Sequence, residues 1–209
     1  MHEYGGLGYV YNRQTEGLVV QADPVMDLAR ESKSLFNRFP DHPLKKECNQ
    51  IRVYYDNIIE LADQTRTLFT GEDLCLVNTE VNSGNFLVSD AGAYLVDWEK
   101  AVKSYRYQDL GHFMVPTTTL WKSDTILTPT EKRRFLTAYH QEACLEMRMD
   151  ELVLKTRVME KAILLRALSW CFMAWYEYTQ TDRPLRNADT FTKINQYLAD
   201  IPWILASVT

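Results

Sequence analysis

The stretch from Leu76 to Trp98, LVNTEVNSGNFLVSDAGAYLVDW, constrains this chain more than any other. It reads as a short strand, a polar loop, a strand, a tight turn and a further strand. Phe86-Leu87-Val88 and Tyr94-Leu95-Val96 have strand character. Ser89-Asp90-Ala91-Gly92 between them is turn chemistry. Folding the chain at that turn pairs the two runs antiparallel, so Asn85 lies beside Asp97. Ser83-Gly84 lets the loop bend sharply before Asn85, and Glu80 stands at the loop's other end. One hairpin thus brings together a carboxylate, a carboxamide and a second carboxylate.

Phosphoryl transfer needs such a set: one group orients the attacking hydroxyl and two hold magnesium. The residues resemble the catalytic core of the aminoglycoside phosphotransferase and choline kinase group, which has the protein-kinase-like fold. That group carries His-Gly-Asp-Leu-His-x-Gly-Asn, a hydrophobic strand, and then Ile-Asp-Trp-Glu. The matching residues here are Asn78-Thr79-Glu80-Val81-Asn82-Ser83-Gly84-Asn85, followed by Val96-Asp97-Trp98-Glu99. Gln108-Asp109-Leu110 resembles the Asp-Leu that follows in the family. The spacing of carboxylate to Asn is that of the kinase D-x-x-x-x-N. The resemblance covers residues 41 to 200. It implies an ATP-dependent small-molecule kinase using ATP and Mg2+. In it Glu80 is the catalytic base, Asn85 and Asp97 are the metal and nucleotide ligands, and Asp109 braces the loop.

The departures matter equally. The base position is normally Asp, and Glu80 carries an extra methylene. A misplacement of about 1 Å can cost on the order of a hundredfold in rate. The two loop histidines are Asn78 and Asn82. The metal pair is intact, so magnesium-nucleotide binding has better support than turnover. The family's N-terminal lobe is considerably longer than the segment available here. No Val-Ala-x-Lys-like strand is present, and Gly5-Gly6-Leu7-Gly8 is neither G-x-G-x-x-G nor a P-loop. The expected division is therefore an N-terminal segment, residues 1–40, and a kinase-like C-terminal catalytic lobe, residues 41–209. The fold class is α+β, mostly α. Such a lobe alone leaves an apolar face around Cys75 and Leu87 uncovered. That face predicts either a missing N-terminal lobe or self-association.

Composition narrows the alternatives. Of 209 residues, 46% are apolar, enough for a sizeable core. A net charge of −5 argues against nucleic acid as a partner and weakly suits a cationic substrate. The four cysteines have no paired spacing, which reads as reduced cytoplasmic thiols. The N-terminus lacks the basic-then-apolar pattern of a signal peptide. The longest apolar run, from Ala167 to Tyr176, is too short to span a bilayer.

The remaining elements read as helices. Asp23 caps a short one with Pro24 at its first position. Gly8 to Val20 offers a hairpin around Asn12 to Glu16. Leu44 to Phe69 has helical periodicity. Lys100 to Tyr107 reads as a loop, Asp109 begins a short helix, and Pro116 ends it. Thr128-Pro129-Thr130-Glu131 starts a helix to Met147. Asp150 caps the next, towards Tyr178, and a last helix runs from Ala188 to Ala199. Trp170, Trp175, Tyr176 and Tyr178 with Glu177 cluster on one helix. Core packing is the ordinary role of such aromatics. Trp175 and Glu177 are the weaker candidates for holding a cationic acceptor, a quaternary ammonium or an aminoglycoside. Two alternatives stand beside a kinase. One is a non-catalytic kinase-derived module, and the other is a divalent-metal hydrolase built on Glu80 and Asp97.

Overall fold

The computed structural model describes residues 17–90, 92–180 and 187–208. The proposed hairpin around Asn12 to Glu16 lies outside the described residues. Most of the remainder is helical, with two small antiparallel sheets.

The architecture is organised on one long helix. We number the helices α1 (Pro24–Phe36), α2 (Lys45–Gln64), α3 (Tyr107–Met114), α4 (Pro116–Lys122), α5 (Pro129–Glu142), α6 (Met149–Thr179), α7 (Ala188–Ala199) and α8 (Ile201–Ala206). Helix α6 packs against α1, α2, α3, α4, α5 and α7. It can do so because Leu152, Val158, Met159, Ile163, Leu164, Leu165, Leu168 and Phe172 are buried and point to all of its sides. A helix apolar all round belongs in the middle of a bundle. Leu28 and Phe36 of α1 share that core with Ile51 and Ile58 of α2, so the segment before residue 40 and the helices after it have one interior. No helix among the described residues is long and apolar enough to cross a membrane.

Helix ends follow local chemistry. Asp23 caps α1 by accepting the Met26 N–H, with Pro24 at the first position. Thr128 and Glu131 form a full capping box on α5. Several boundaries differ from the sequence reading: α2 ends at Gln64 rather than Phe69, and α3 begins at Tyr107 rather than Asp109. Helix α5 stops at Glu142, because Cys144 takes a left-handed conformation with φ +47°. Glu146 is thereby outside the helix that holds Glu142. Helix α6 starts at Met149, with Arg148 rather than Asp150 at its N-cap. Pro116 not only closes α3 but opens α4, where its fixed φ and missing N–H suit the first position.

The strands are β1 (Cys75–Val77), β2 (Phe86–Ser89), β3 (Gly92–Leu95) and β4 (Val102–Ser104). β2 and β3 form the expected hairpin, with Phe86 opposite Leu95 and Ser89 opposite Gly92. β1 pairs antiparallel with β4, Leu76 opposite Lys103. That second pair replaces the loop expected from Lys100 to Tyr107. Backbone bonds from Gln21 N–H to Lys103 O (2.9 Å) and from Lys103 N–H to Val19 O (2.9 Å) add the segment before α1 to its edge.

Candidate functional site

The loop between β1 and β2 holds the chemistry. Its backbone is anchored by Asp109, near the start of α3. The Asp109 carboxylate accepts the N–H of Asn78 at 2.8 Å and of Thr79 at 2.9 Å. Burial raises the pKa of Asp109, and the two backbone donors oppose that shift by favouring the charged form. Thr79 also donates its hydroxyl to Lys100 O at 3.0 Å. These bonds hold Thr79 at φ +66°, left-handed backbone that a β-branched residue rarely adopts. Asp97 is held likewise at φ +63°. Each such residue costs roughly 1–3 kcal/mol, and strain of this kind concentrates at functional sites.

Asn78 is fully buried and ties the two ends of the site together. Its side-chain amide donates to Asp97 O at 2.8 Å, and its Oδ1 accepts the Glu80 N–H at 3.0 Å. Neither bond needs a charge. An asparagine therefore bridges the loop at the place where the resembled family has histidine.

Glu80, Asn85 and Asp97 lie close together. Asn85 donates its amide N–H to Glu80 O at 2.8 Å, which leaves Oδ1 as its ligand atom. The Val96 N–H donates to Asn85 O at 2.9 Å, fixing the hairpin end against Asp97. Carboxylate oxygens of Glu80, Asp97 and Glu99 lie within 4.8 Å of one another. A hard cation takes oxygen donors of this kind, so the donor set fits magnesium, and Glu99 adds a third carboxylate. The expected bend at Ser83-Gly84 is a 3-10 turn over Ser83–Asn85, and Gly84 is also tightly packed. A Cβ there would stand 3.0 Å from Asn82 Oδ1 and 3.1 Å from Lys122 Cε.

Lys100, in the sequence only the start of an expected loop, also reaches the site. Its ammonium contacts Glu80 Oε1 at 2.6 Å. The pairing of β1 with β4 carries it there across 20 residues of sequence. Beside Glu80 opens a cavity of about 280 Å³, lined by Lys100, Thr117, Trp121, Arg166, Trp170 and Tyr197, among others. His112 also lines it. Burial, with Arg166 nearby, pushes its imidazole down to about 3, so the ring is neutral.

The aromatic candidates separate. Trp170 faces this cavity, whereas Trp175 and Glu177 do not line it. Trp175 donates to Asn195 Oδ1 at 2.9 Å, and Glu177 pairs with Arg38 at 3.5 Å. Both hold the C-terminal end of α6 to its neighbours.

No protein-family model matches this chain, and no curated protein matches it in sequence. Its fold matches a solved structure, the ethanolamine kinase of Plasmodium vivax. The TM-score is 0.57 at 11% identity, over 91% of this chain and 51% of that one. The chain therefore spans about half the length of that neighbour and shares its fold over that half.

Proposed function

We propose that this chain is the catalytic lobe of a magnesium-dependent phosphotransferase that moves the γ-phosphoryl group of ATP to a hydroxyl of a small molecule. The observation that carries the reading is the convergence of Glu80 and Asn85, on a loop anchored by Asp109, with Asp97, which follows β3. The kinase-like fold supports it. Glu80 accepts the proton of the acceptor hydroxyl. The hydroxyl oxygen bonds to the γ-phosphorus as the bond from that phosphorus to the bridging oxygen breaks, and ADP leaves with the electron pair. Asn85 Oδ1 and the Asp97 carboxylate would hold magnesium, which when bound offsets charge on the β- and γ-phosphates. Lys100 keeps the Glu80 carboxylate in place and adds a positive charge beside the transferred group.

One observation favours a second reading, a nucleotide-binding module without turnover. The Lys100 ammonium already occupies one oxygen of the residue that must take the proton, and that residue is longer than the usual Asp. Glu80→Ala and Glu80→Asp separate the two. For a catalyst, Glu80→Ala lowers phosphotransfer by about a hundredfold or more and leaves magnesium-ATP binding in place. Turnover that appears only in Glu80→Asp establishes the module instead.

A further inference from the structure

We infer that the cavity beside Glu80 takes an acceptor bearing a carboxylate, a small hydroxy acid, rather than a cationic amino alcohol. The inference rests on the phosphotransferase reading for the role of the hydroxyl, but the charge of the site stands on its own geometry.

Glu80 is the one carboxylate in the lining among the described residues, and Lys100 engages it at 2.6 Å. An amine entering the cavity meets a single carboxylate, Glu80, with one oxygen already held by Lys100, while Asp97 and Glu99 next to Glu80 do not line the cavity. It also meets two cations, Lys100 and Arg166. Arg166 commits Nε to Glu31 Oε1 at 2.8 Å. Its two amino groups remain as donors, and a guanidinium fork matches a carboxylate. Arg166, Lys100 and His112 also line an adjoining cavity of about 180 Å³, where Glu31 lies. Glu31 thus holds the arginine from behind while Arg166 faces the cavity beside Glu80. Thr117, only 6% exposed, lines that cavity with a hydroxyl that has no hydrogen-bond partner. A buried hydroxyl without a partner is costly, and an anionic acceptor oxygen would satisfy it. Trp121 and Trp170 stand edge to face, 6.4 Å between centroids, and supply apolar walls for a short carbon skeleton. The volume is at the small end of ligand cavities.

The test uses the full chain with three probes matched in size: glycerate, glycerol and ethanolamine. Two readouts are taken, ADP release with magnesium-ATP and quenching of tryptophan fluorescence without nucleotide. Glycerate is expected to bind and react best. In Arg166→Gln its KM, or its dissociation constant in the quenching titration, rises about tenfold or more. There kcat is held and ethanolamine is unaffected or improved. Preference for ethanolamine in the native chain overturns the inference and needs no variant to fold. Failure of glycerate to quench at high millimolar concentration, or a folded Arg166→Gln that binds it as tightly as the native chain, overturns it too. A chain that binds glycerate through Arg166 yet shows no magnesium-ATP binding keeps the acceptor class and refutes the kinase reading, so the two failures are distinct.

Discussion

Single residues decide whether this loop can work. Asp109 closes two backbone donors that otherwise lie buried without partners. Hydrogen bonds to a charged group are each worth about 1.5–3 kcal/mol, and an orphaned donor costs its desolvation. Asp109→Ala is expected to lower stability by about 3 kcal/mol in urea unfolding and to weaken nucleotide binding as the loop relaxes. An unchanged unfolding midpoint would contradict the brace. The nearness of Glu80, Asn85 and Asp97 was legible from the hairpin in the sequence, and Asp109 only from the resemblance of Gln108-Asp109-Leu110. Lys100 and Arg166 were not. One reaches the site through pairing of β1 with β4, the other from the middle of α6, and no local pattern encodes either approach. Asn78 was visible only as a departure from His. Its role needed the bridge between Glu80 and Asp97 to be seen.

At the scale of elements, the site depends on how closely α3 lies on α6. Gly111 of α3 is at the crossing. A Cβ there would stand 2.9 Å from Glu160 N, 3.3 Å from Glu160 Cα and 3.2 Å from Ile163 Cδ1. Backbone cannot yield as a flexible side chain does. Overpacking of this kind costs roughly 1–3 kcal/mol, and alanine returns about 1 kcal/mol of helix propensity. Gly111→Ala is therefore expected to destabilise by about 1–2 kcal/mol, read as a lowered thermal midpoint. A rise would mean that propensity outweighs the crossing. A second tie fixes the approach to β1. Lys155 of α6, nearly fully buried, pairs with Glu72 and with Glu151, and the Tyr107 hydroxyl donates to Glu72. A buried cation with two carboxylates retains its charge, and burial with its Glu72 bond raises the Tyr107 pKa well above the usual range. The capped helices could be read directly, since Thr128 with Glu131 and Asp23 with Pro24 are local signals. β4 could not, because three residues paired across a long loop leave no periodicity to detect.

For the whole molecule, burial of neutral histidines sets the response to acid. His42 stacks on Phe172 with centroids 3.6 Å apart, bonds through Nε2 to Phe172 O at 2.8 Å, and accepts the Leu44 N–H at Nδ1. Burial lowers its pKa, as it does that of His112. The unfolded chain binds protons on both rings below about pH 6.5, whereas the folded chain does not until lower pH. Stability is thus full above that value and falls as pH drops through it, by up to about 1.4 kcal/mol per pH unit for each ring. Urea unfolding at pH 7.5 and pH 5 is expected to show that loss from these two residues, and a native profile no steeper than that of His42→Gln would refute the share assigned to His42. The hairpin gives the molecule its other global feature. Leu87 and Tyr94, paired across the hairpin, are 56% and 61% exposed on one face, and Val88 is 77% exposed on the other. The expected exposure around Leu87 is thus present, while Cys75 is half-buried. Asn85, Asp97 and the braced loop form the proposed magnesium-nucleotide site. Calorimetry of magnesium-ATP against the native chain and Asp97→Ala tests it most directly. Binding by the native chain that is lost in Asp97→Ala and absent without magnesium is the predicted result. No heat at millimolar nucleotide, or equal binding by both chains, would contradict it.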